Sequence, residues 1–474
     1  MTRVLCGSAL LLLACSSGAA RRGGTVILAS GADLQSPNPL VTVHPLARQV
    51  QRYALLVTLV RYDSALAPAP YLARSWEWSG DRSTLTLRLF TGLRWHDGTP
   101  TTARDAAWTL EAARDPETGY PRRTDLADLT AAAAEDDSTL VLRFSRPVGG
   151  IPDVLTDLAL LPRHLLDTVP RSGLRRAEWN RRPVGNGPFR FVAHEPNRRW
   201  IFAANREFPA ELGGPPRLER FVVAVVDEPT TKLAALTSGE LDLAGINPAH
   251  AEFVRRDPRL RVVDYPLLFS YALVMNARRP PFDRFATREA IASALDRRAI
   301  VDGVLFGFGT PATTPLPPPL GPATADGAPP RSRPPAAPMR FELLTVGSGE
   351  APMEQMIQAQ LAPLGARAEI RQLELSTFLD RVHGEAHDFD AAVVGVSGDL
   401  GLGHLAPLVA LSGLHPEGDR ERLVRQIVDS LPAVFLYHAR GVQGVNRRVR
   451  GLTMDLRGEL VTLSQWSVNG DSGR

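Results

Sequence analysis

Two pairs of side chains in this sequence have the types and spacing that chemistry uses. His96 and Asp97 stand together in "GLRWHDGTPTTARDAAW", residues 92–108, where an imidazole beside a carboxylate could act as a general base. His383 and His387 lie four apart in "HGEAHDFD", with Asp388 and Asp390 following; on a helix that spacing would put both imidazoles on one face, as a metal site requires. Neither pattern completes. Adjacent residues on an extended strand point to opposite faces, and Asp97-Gly98 is a turn dipeptide, so His96 and Asp97 are poorly placed to work as a charge pair. In the second run Glu385 is the third residue rather than the second, so it is not H-E-x-x-H, and Gly384 falls where a helix should be ending. His383 and His387 stay as weak metal candidates beside the plainer reading of a solvated helix end, with imidazoles near the negative pole of the dipole.

Other motifs fail in the same way. "GVSGD", Gly395–Asp399, lacks a spacer residue of the nucleophile elbow G-x-S-x-G. "GLGH" and "GNGPF" lack the full glycine spacing of a phosphate loop. With no nucleophile, metal cage or cofactor loop, the chain is expected not to be an enzyme and to need no cofactor.

The elements that hold these residues follow from periodicity. Thr25–Ser30 is a short strand. "STLTLRLF" alternates, with Leu85, Leu87 and Leu89 on one face, and "STLVLRF" repeats the pattern with Leu140, Leu142 and Phe144. Thr101 or Thr102 can cap a helix running to about Arg114, with Ala106, Ala107, Leu110 and Ala113 inward. "GPFRFVAHEPNRRWIFAANREF" is a hairpin, "RFVVAVVDEP" and "YALVMNA" are buried strands, and a helix closes at Gly239. "ATREAIASALDRRAIVDGVLFG" has the pattern of one long helix, with Ala290, Ile291, Ala294, Leu295 and Ile300 inward and Arg288, Asp296 and Arg297 outward. Residues 311–338 are too rich in proline for helix or sheet and form an extended connection. Beyond them, strands alternate with helices, which implies a parallel or mixed sheet, and Met353, Met356, Ile357, Leu361 and Leu364 make one apolar stripe.

At 474 residues the chain exceeds one ordinary core, so two or more lobes are expected. Its 54 basic and 51 acidic residues nearly cancel, which argues against a nucleic-acid partner; Lys232 is the one lysine among many arginines. The start, "MTRVLCGSALLLLACSSG", has one cation at Arg3, an apolar run from Val4 to Leu13, and then Ala14-Cys15-Ser16-Ser17. That is an export signal, too short for the roughly 20 apolar residues of a membrane span. "LLAC" resembles a lipobox, in which Cys15 would be acylated; plain signal cleavage is the alternative. Cys6 would leave with the signal, so the mature chain could form no disulfide within itself.

Several ordered blocks then carry a resemblance. "GGTVILASGADLQSPNPL", "PYLARSWEWSGDRSTLTLRLFTGLRWHDGTPTTARDAAW", "PVGNGPFRF", "LTSGELDLAG", "FDAAVVGVSGD" and "LPAVFLYHARGVQGVNRRVRGL" resemble, in order, the bacterial extracellular solute-binding proteins of family 5. These are the peptide-, dipeptide-, oligopeptide- and nickel-binding lipoproteins of ABC importers. Asn186 replaces the family's usual threonine, the proline-rich stretch replaces a helix, and the stretch before "LPAVFLYH" is short. The resemblance implies an α/β, periplasmic binding protein-like class II fold, two lobes with mixed sheets joined by a hinge and a discontinuous first lobe. Expected divisions are a signal over 1–14, the start of lobe one over 15–60, a subdomain over 61–180, the lobe-one core over 181–270, lobe two over 271–432 and a return over 433–474.

It further implies a ligand held between lobes that close around it, with Ser30, Gly31, Ala32, Asp33 and Leu34 on one side and Ser397, Gly398, Asp399 and Leu400 on the other. Asp399 would hold a ligand ammonium, or else cap a turn. Where dipeptide binders place an arginine for the ligand carboxylate, Ala351 and Pro352 stand here. Expected partners are a peptide or other small solute, ABC permease subunits and a membrane reached through a lipid anchor, with no nucleic acid and a monomeric chain. The expected location is the periplasm or cell surface. The alternative is a structural or sensory lipoprotein of the same fold that no longer supports transport.

Overall fold

Two strands of unusual length organise the molecule. Leu260–Met275 and Ala433–Asn446 run antiparallel; their pairing breaks between Pro266 and Ser270, and the register shifts again between Tyr271 and Ala272. In the computed structural model, residues 24–468 are described apart from 43, 319, 322–337, 399–402 and 418–419. Cys15 and the signal-like start, much of the proline-rich stretch, Asp399 and Leu400 therefore lie outside the described residues.

On one side of the interruption the two strands join Leu243–Gly245, Thr25–Ser30, Arg220–Val225 and the hairpin Phe189–Glu195/Arg199–Ala204. On the other side they join Ala391–Ser397, Met339–Val346 and Ala366–Leu373, with Gly309–Pro311 added to Ala433–Asn446. Thr25–Ser30 pairs in parallel with its neighbours, as Met339–Val346 does with its own, while the long strands pair antiparallel, so the sheet is mixed. One eleven-stranded sheet thus runs through two lobes, and the two long strands are the part shared by both.

The unbroken apolar run of "YALVM" follows from burial on both faces. Leu273 and Met275 pack with Ile291, Ile300 and Ile357, whereas Ala272 and Val274 pack with Phe378, Phe389 and Leu408. Lobe one carries a further four-stranded antiparallel sheet in the order Ala73–Trp78, Thr84–Leu89, Thr139–Phe144, Leu129–Ala134. Leu85, Leu87, Leu140 and Leu142 are buried there as the alternation predicts, while Phe144 is only half-buried. No helix among the described residues is long and apolar enough to cross a membrane.

Several local expectations meet a difference. Thr102, not Thr101, caps the Ala103–Arg114 helix, in a capping box with Asp105; Ala107 is half-buried, and Ala103 and Ala112 share the inner face. The single long helix is two, Phe285–Ala294 and Arg297–Leu305, because Asp296 accepts from Ala299 N at 2.9 Å and starts the second one afresh. Two arginines expected outward turn inward. Arg288 is buried and donates to the Ser430 carbonyl at 2.9 Å and the Phe282 carbonyl at 2.7 Å. Arg297 donates to the Phe435 carbonyl at 2.8 Å, and burial pushes its pKa down to about 10. Periodicity reads both as surface charges; here the guanidinium forks satisfy carbonyls that neighbouring chain ends would otherwise bury unpaired.

Candidate binding cavity

A cavity of about 410 Å³ opens where the long strands are interrupted. That volume lies within the range of small-ligand sites, and a junction between lobes is where such sites concentrate. Its floor is Pro266, Leu267, Leu268 and Phe269, the residues at the break in pairing. One wall comes from lobe one; from lobe two the described residues on it are Ser397 and Gly398.

The lobe-one wall is built on the Pro45–Val50 helix and the wider turn Gln51–Leu55 that continues it. Pro45 sits in its first turn and His44 caps it, accepting from Ala47 N at 3.3 Å. Arg48 and Arg52, one turn apart, therefore face the cavity together with Gln49 and Tyr53. The helix is fastened at both ends. At its C-terminal end Gly185 and Gly187 lie so close that a Cβ would stand 2.1 Å from the Leu55 carbonyl oxygen and 2.4 Å from that of Ala54. Between them, Asn186 accepts from Val57 N at 3.1 Å and donates to Thr101 at 3.3 Å. On the other side Gln49 accepts from Leu460 N at 3.0 Å, and Gly458, at φ +130°, leaves room for that side chain.

His96 belongs to this brace. Its backbone N–H donates to the Gly185 carbonyl at 2.7 Å, and its Nε2 lies 3.0 Å from the Gly187 carbonyl oxygen. Burial pushes its pKa down to about 4, which keeps the imidazole neutral as a donor to that carbonyl. Asp97 points elsewhere, to His164 at 2.7 Å. The two residues form no pair.

Charge fills the lobe-one wall. Asp157 takes Arg48 and Arg52 at 2.5 Å each and Arg122 at 2.7 Å. Burial alone would raise the Asp157 pKa, but the guanidiniums of Arg52, Arg48 and Arg122 outweigh it and hold the carboxyl below its ordinary range. Arg122 also reaches Asp125 at 2.5 Å. Arg457 grips Asp455 at 2.6 Å, and its carbonyl accepts from the Tyr53 hydroxyl at 3.0 Å and from Arg52 at 3.2 Å. Arg61 lies 3.2 Å from the centre of the Tyr71 ring. Glu459 accepts from the Tyr265 hydroxyl at 2.7 Å, and burial raises its pKa against that bond. Tyr62 donates to Asp153. Such a wall offers fixed donors, guanidiniums paired with carboxylates, and aromatic faces, and among the described residues no nucleophile on it is activated by a base. It can bind.

The residues singled out from sequence fall in different places. Ser397 and Gly398 line the cavity, and Gly398 N donates to the Leu268 carbonyl at 2.7 Å, tying the lobe-two strand to the break. Ser30–Leu34 are not brought to it. Asp33 is occupied within lobe one by Trp200 Nε1 at 2.6 Å, Asn197 N at 2.8 Å and His194 at 3.0 Å, and Leu34 is core. His383 ends its helix while His387 lies beyond Gly384 at φ 41°, its Nδ1 3.0 Å from the Val382 carbonyl oxygen, so the two do not share a helical face. Among the described residues no group of three or more metal-ligating side chains gathers. Sequence reasoning passed over Arg48, Arg52, Arg122, Asp157 and Glu459. The i, i+4 spacing of Arg48 and Arg52 was a signal available for two of them; the others meet only through the fold.

The model of the bacterial extracellular solute-binding proteins, family 5, matches residues 67–406. A Brucella ovis protein named for ABC transporter peptide binding is 30% identical over 256 residues, 54% of this chain and 48% of its own length. The chain thus spans about half the length of the curated relatives it matches. Among solved structures, the ABC transporter substrate binding protein CtaP of Listeria monocytogenes superposes with a TM-score of 0.81 at 18% identity, covering 94% of this chain and 99% of its own. The oligopeptide-binding protein AppA of Bacillus subtilis, solved with a nonapeptide, gives 0.72 at 20% identity with the same coverage. At such identities these two likenesses speak for the fold.

Proposed function

Because this chain belongs to the bacterial extracellular solute-binding proteins of family 5, we propose that it is the extracytoplasmic capture component of an ABC importer. It takes a peptide or a related small solute into the cavity between its lobes and presents it to permease subunits. The observation that carries the reading is the cavity itself, about 410 Å³ at the break between two strands that both lobes share. Two strands are a narrow connection, and few hydrogen bonds at their break oppose a change in lobe angle. Closure would dry the arginine and tyrosine groups and so strengthen their bonds to a ligand. Ser397 and Gly398 would close on the ligand from lobe two. In this reading Cys15 carries the lipid that keeps the protein at the membrane surface, and the chain acts as a monomer. The lobe divisions expected from sequence, 271–432 for lobe two and 433–474 for the return, are retained as part of the proposal.

The test is a thermal shift of the purified protein against pools of tri- to pentapeptides, followed by solution scattering with the pool that stabilises most. Stabilisation with a smaller radius of gyration on binding is the expected result. A ligand bound with no change in radius would favour the sensory or structural alternative. No stabilisation by any pool would remove peptides as the ligand class.

A further inference from the structure

We propose that the end of lobe one remote from the hinge, where Arg261, Arg447 and Arg450 cluster with Arg220 on their flank, rests on the anionic headgroups of a membrane. The inference deepens the membrane-surface part of the capture reading, on which it rests. None of these four residues lines the cavity.

Thr25–Ser30, Leu243–Gly245 and the first half of Leu260–Met275 all run toward the hinge, so the residues at their starts share the opposite end of lobe one. There Arg220 pairs with Thr25, Arg448 donates to the Thr25 carbonyl at 2.7 Å, and Arg447 N donates to the Arg259 carbonyl at 2.8 Å. The segments that meet at this end, 217–220, 240–242, 257–261 and 446–450, hold seven arginines against four carboxylates. That excess equals the net charge of the whole chain, +3, so the rest of the sequence is balanced. Two of the carboxylates are committed, Asp242 to Arg448 and Asp257 to Arg259, each at 2.7 Å. The other two, Glu219 and Glu240, are exposed and form no ion pair among the described residues, and neither do Arg220, Arg261 and Arg447. Arg261 donates to the Val449 carbonyl at 3.3 Å and Arg447 to that of Leu260 at 2.8 Å, so backbone holds the cluster together. Arg261 Nε is enclosed without a hydrogen bond, and burial with the charges of Arg450 and Arg447 pushes its pKa down. Folding has gathered cations that repel one another, and an anionic surface outside the chain would offset that repulsion.

Position supplies the occupant. The described residues begin at Gly24, beside this cluster and nine residues after Cys15. Nine residues span at most about 32 Å. In the capture reading a lipid on Cys15 therefore keeps this end close to the bilayer, where basic residues within a Debye length of an anionic surface are drawn to it. Guanidiniums spread along a row of strand ends, with no cavity between them, suit a diffuse layer of phosphates better than one acidic side chain.

The test floats the full chain with vesicles of phosphatidylcholine alone, and of phosphatidylcholine with an equal part of phosphatidylglycerol, at low and high salt. Comparing the two vesicles cancels any apolar contribution from the start of the chain. The variants are Arg447→Gln and Arg220→Gln; the second loses no hydrogen bond among the described residues and keeps the test valid if the first fails to fold. The expected result is that acidic vesicles hold the chain about tenfold better or more, and that salt removes the difference. Each variant should lower partition to acidic vesicles about fivefold, the weight of one basic residue at such a surface, and leave neutral vesicles unaffected. Equal partition to the two vesicles overturns the lipid surface, and so does a preference that the double variant retains. Crosslinking of position 450 to protein rather than lipid in intact cells also overturns it, in favour of an acidic protein partner. Mass spectrometry of the chain taken from membranes separates the reading beneath: an unmodified Cys15 with the vesicle preference intact removes the anchor and still supports the surface. Absence of stabilisation by any peptide pool, with that preference intact, removes peptide capture alone.

Discussion

The two walls of the cavity are made on opposite plans. Lobe one presents a charged lattice in which every main group is held by another: Asp157 by three arginines, Arg457 by Asp455, Glu459 by Tyr265 and the whole helix by the Gly185–Gly187 segment. Lobe two brings the end of one strand, with the small residues Ser397 and Gly398. The difference teaches where discrimination and movement reside. A preorganised wall spends its ordering cost at folding and offers rigid donors to the ligand. A sparse wall can approach and withdraw without stranding buried charge, since it carries none among the described residues.

This contrast can be broken most severely at Asp157. Asp157→Asn leaves three guanidiniums crowded without their shared counter-ion and should cost about 3–5 kcal/mol, read from chemical denaturation; a loss below about 1 kcal/mol would mean that the lattice does not organise lobe one. Next comes Gly187→Ala, which places a Cβ 2.4 Å from the Ala54 carbonyl oxygen. The backbone shift should cost about 1–3 kcal/mol and loosen the helix that carries Arg48 and Arg52, visible as faster amide exchange over residues 47–56. The same substitution at Gly398, half-buried on the sparse wall, should cost far less.

Acid separates the hinge from the walls. His438, on the second long strand, meets Ser270 at 2.7 Å, and burial pushes its pKa down to about 4, as it does for His96. Both fold as neutral imidazoles. Their contribution is complete above the unfolded value of 6.5 and is lost as the pH falls from 6.5 toward 4. Melting temperature should fall across that window, and His438→Asn should flatten the fall; an unchanged slope in this variant would assign the effect elsewhere. Glu459 carries the opposite sign. Its raised pKa means that ionisation costs stability as the pH rises above the ordinary 4.5. Glu459→Gln should raise the melting temperature at neutral pH by roughly 2 °C or less. Smallest of all, Ser397→Ala on the exposed strand end should stay within about 0.5 kcal/mol of the parent.

Much of the fold was legible because local patterns and global burial agree in it. Alternating leucines at 85–89 and 140–142 became buried faces, the Asp97-Gly98 turn formed, with Gly98 N donating to the Trp95 carbonyl at 2.8 Å, and the mixed sheet after residue 338 formed as the alternation of elements implied. Reading failed where a side chain's partner lies far along the chain. Arg288 and Arg297 looked like surface charge because their carbonyl partners, at Ser430 and Phe435, are more than a hundred residues away. The long strand Leu260–Met275 was read only over "YALVMNA", since its first half alternates weakly and pairs with the distant segment 440–446. His96 drew attention as chemistry and proved to be part of a brace.

By itself, then, the sequence determined the types and order of the elements, the ordered blocks of its family and the absence of a complete catalytic motif, all of which rest on neighbours a few residues apart. Only the tertiary structure decided which charges meet. Arg52, Arg122 and Asp157 lie in separate parts of the chain, and Glu459 lies about three to four hundred residues beyond them. Their convergence depends on how the C-terminal segment returns to lobe one and where the paired strands part, and no local spacing encodes either.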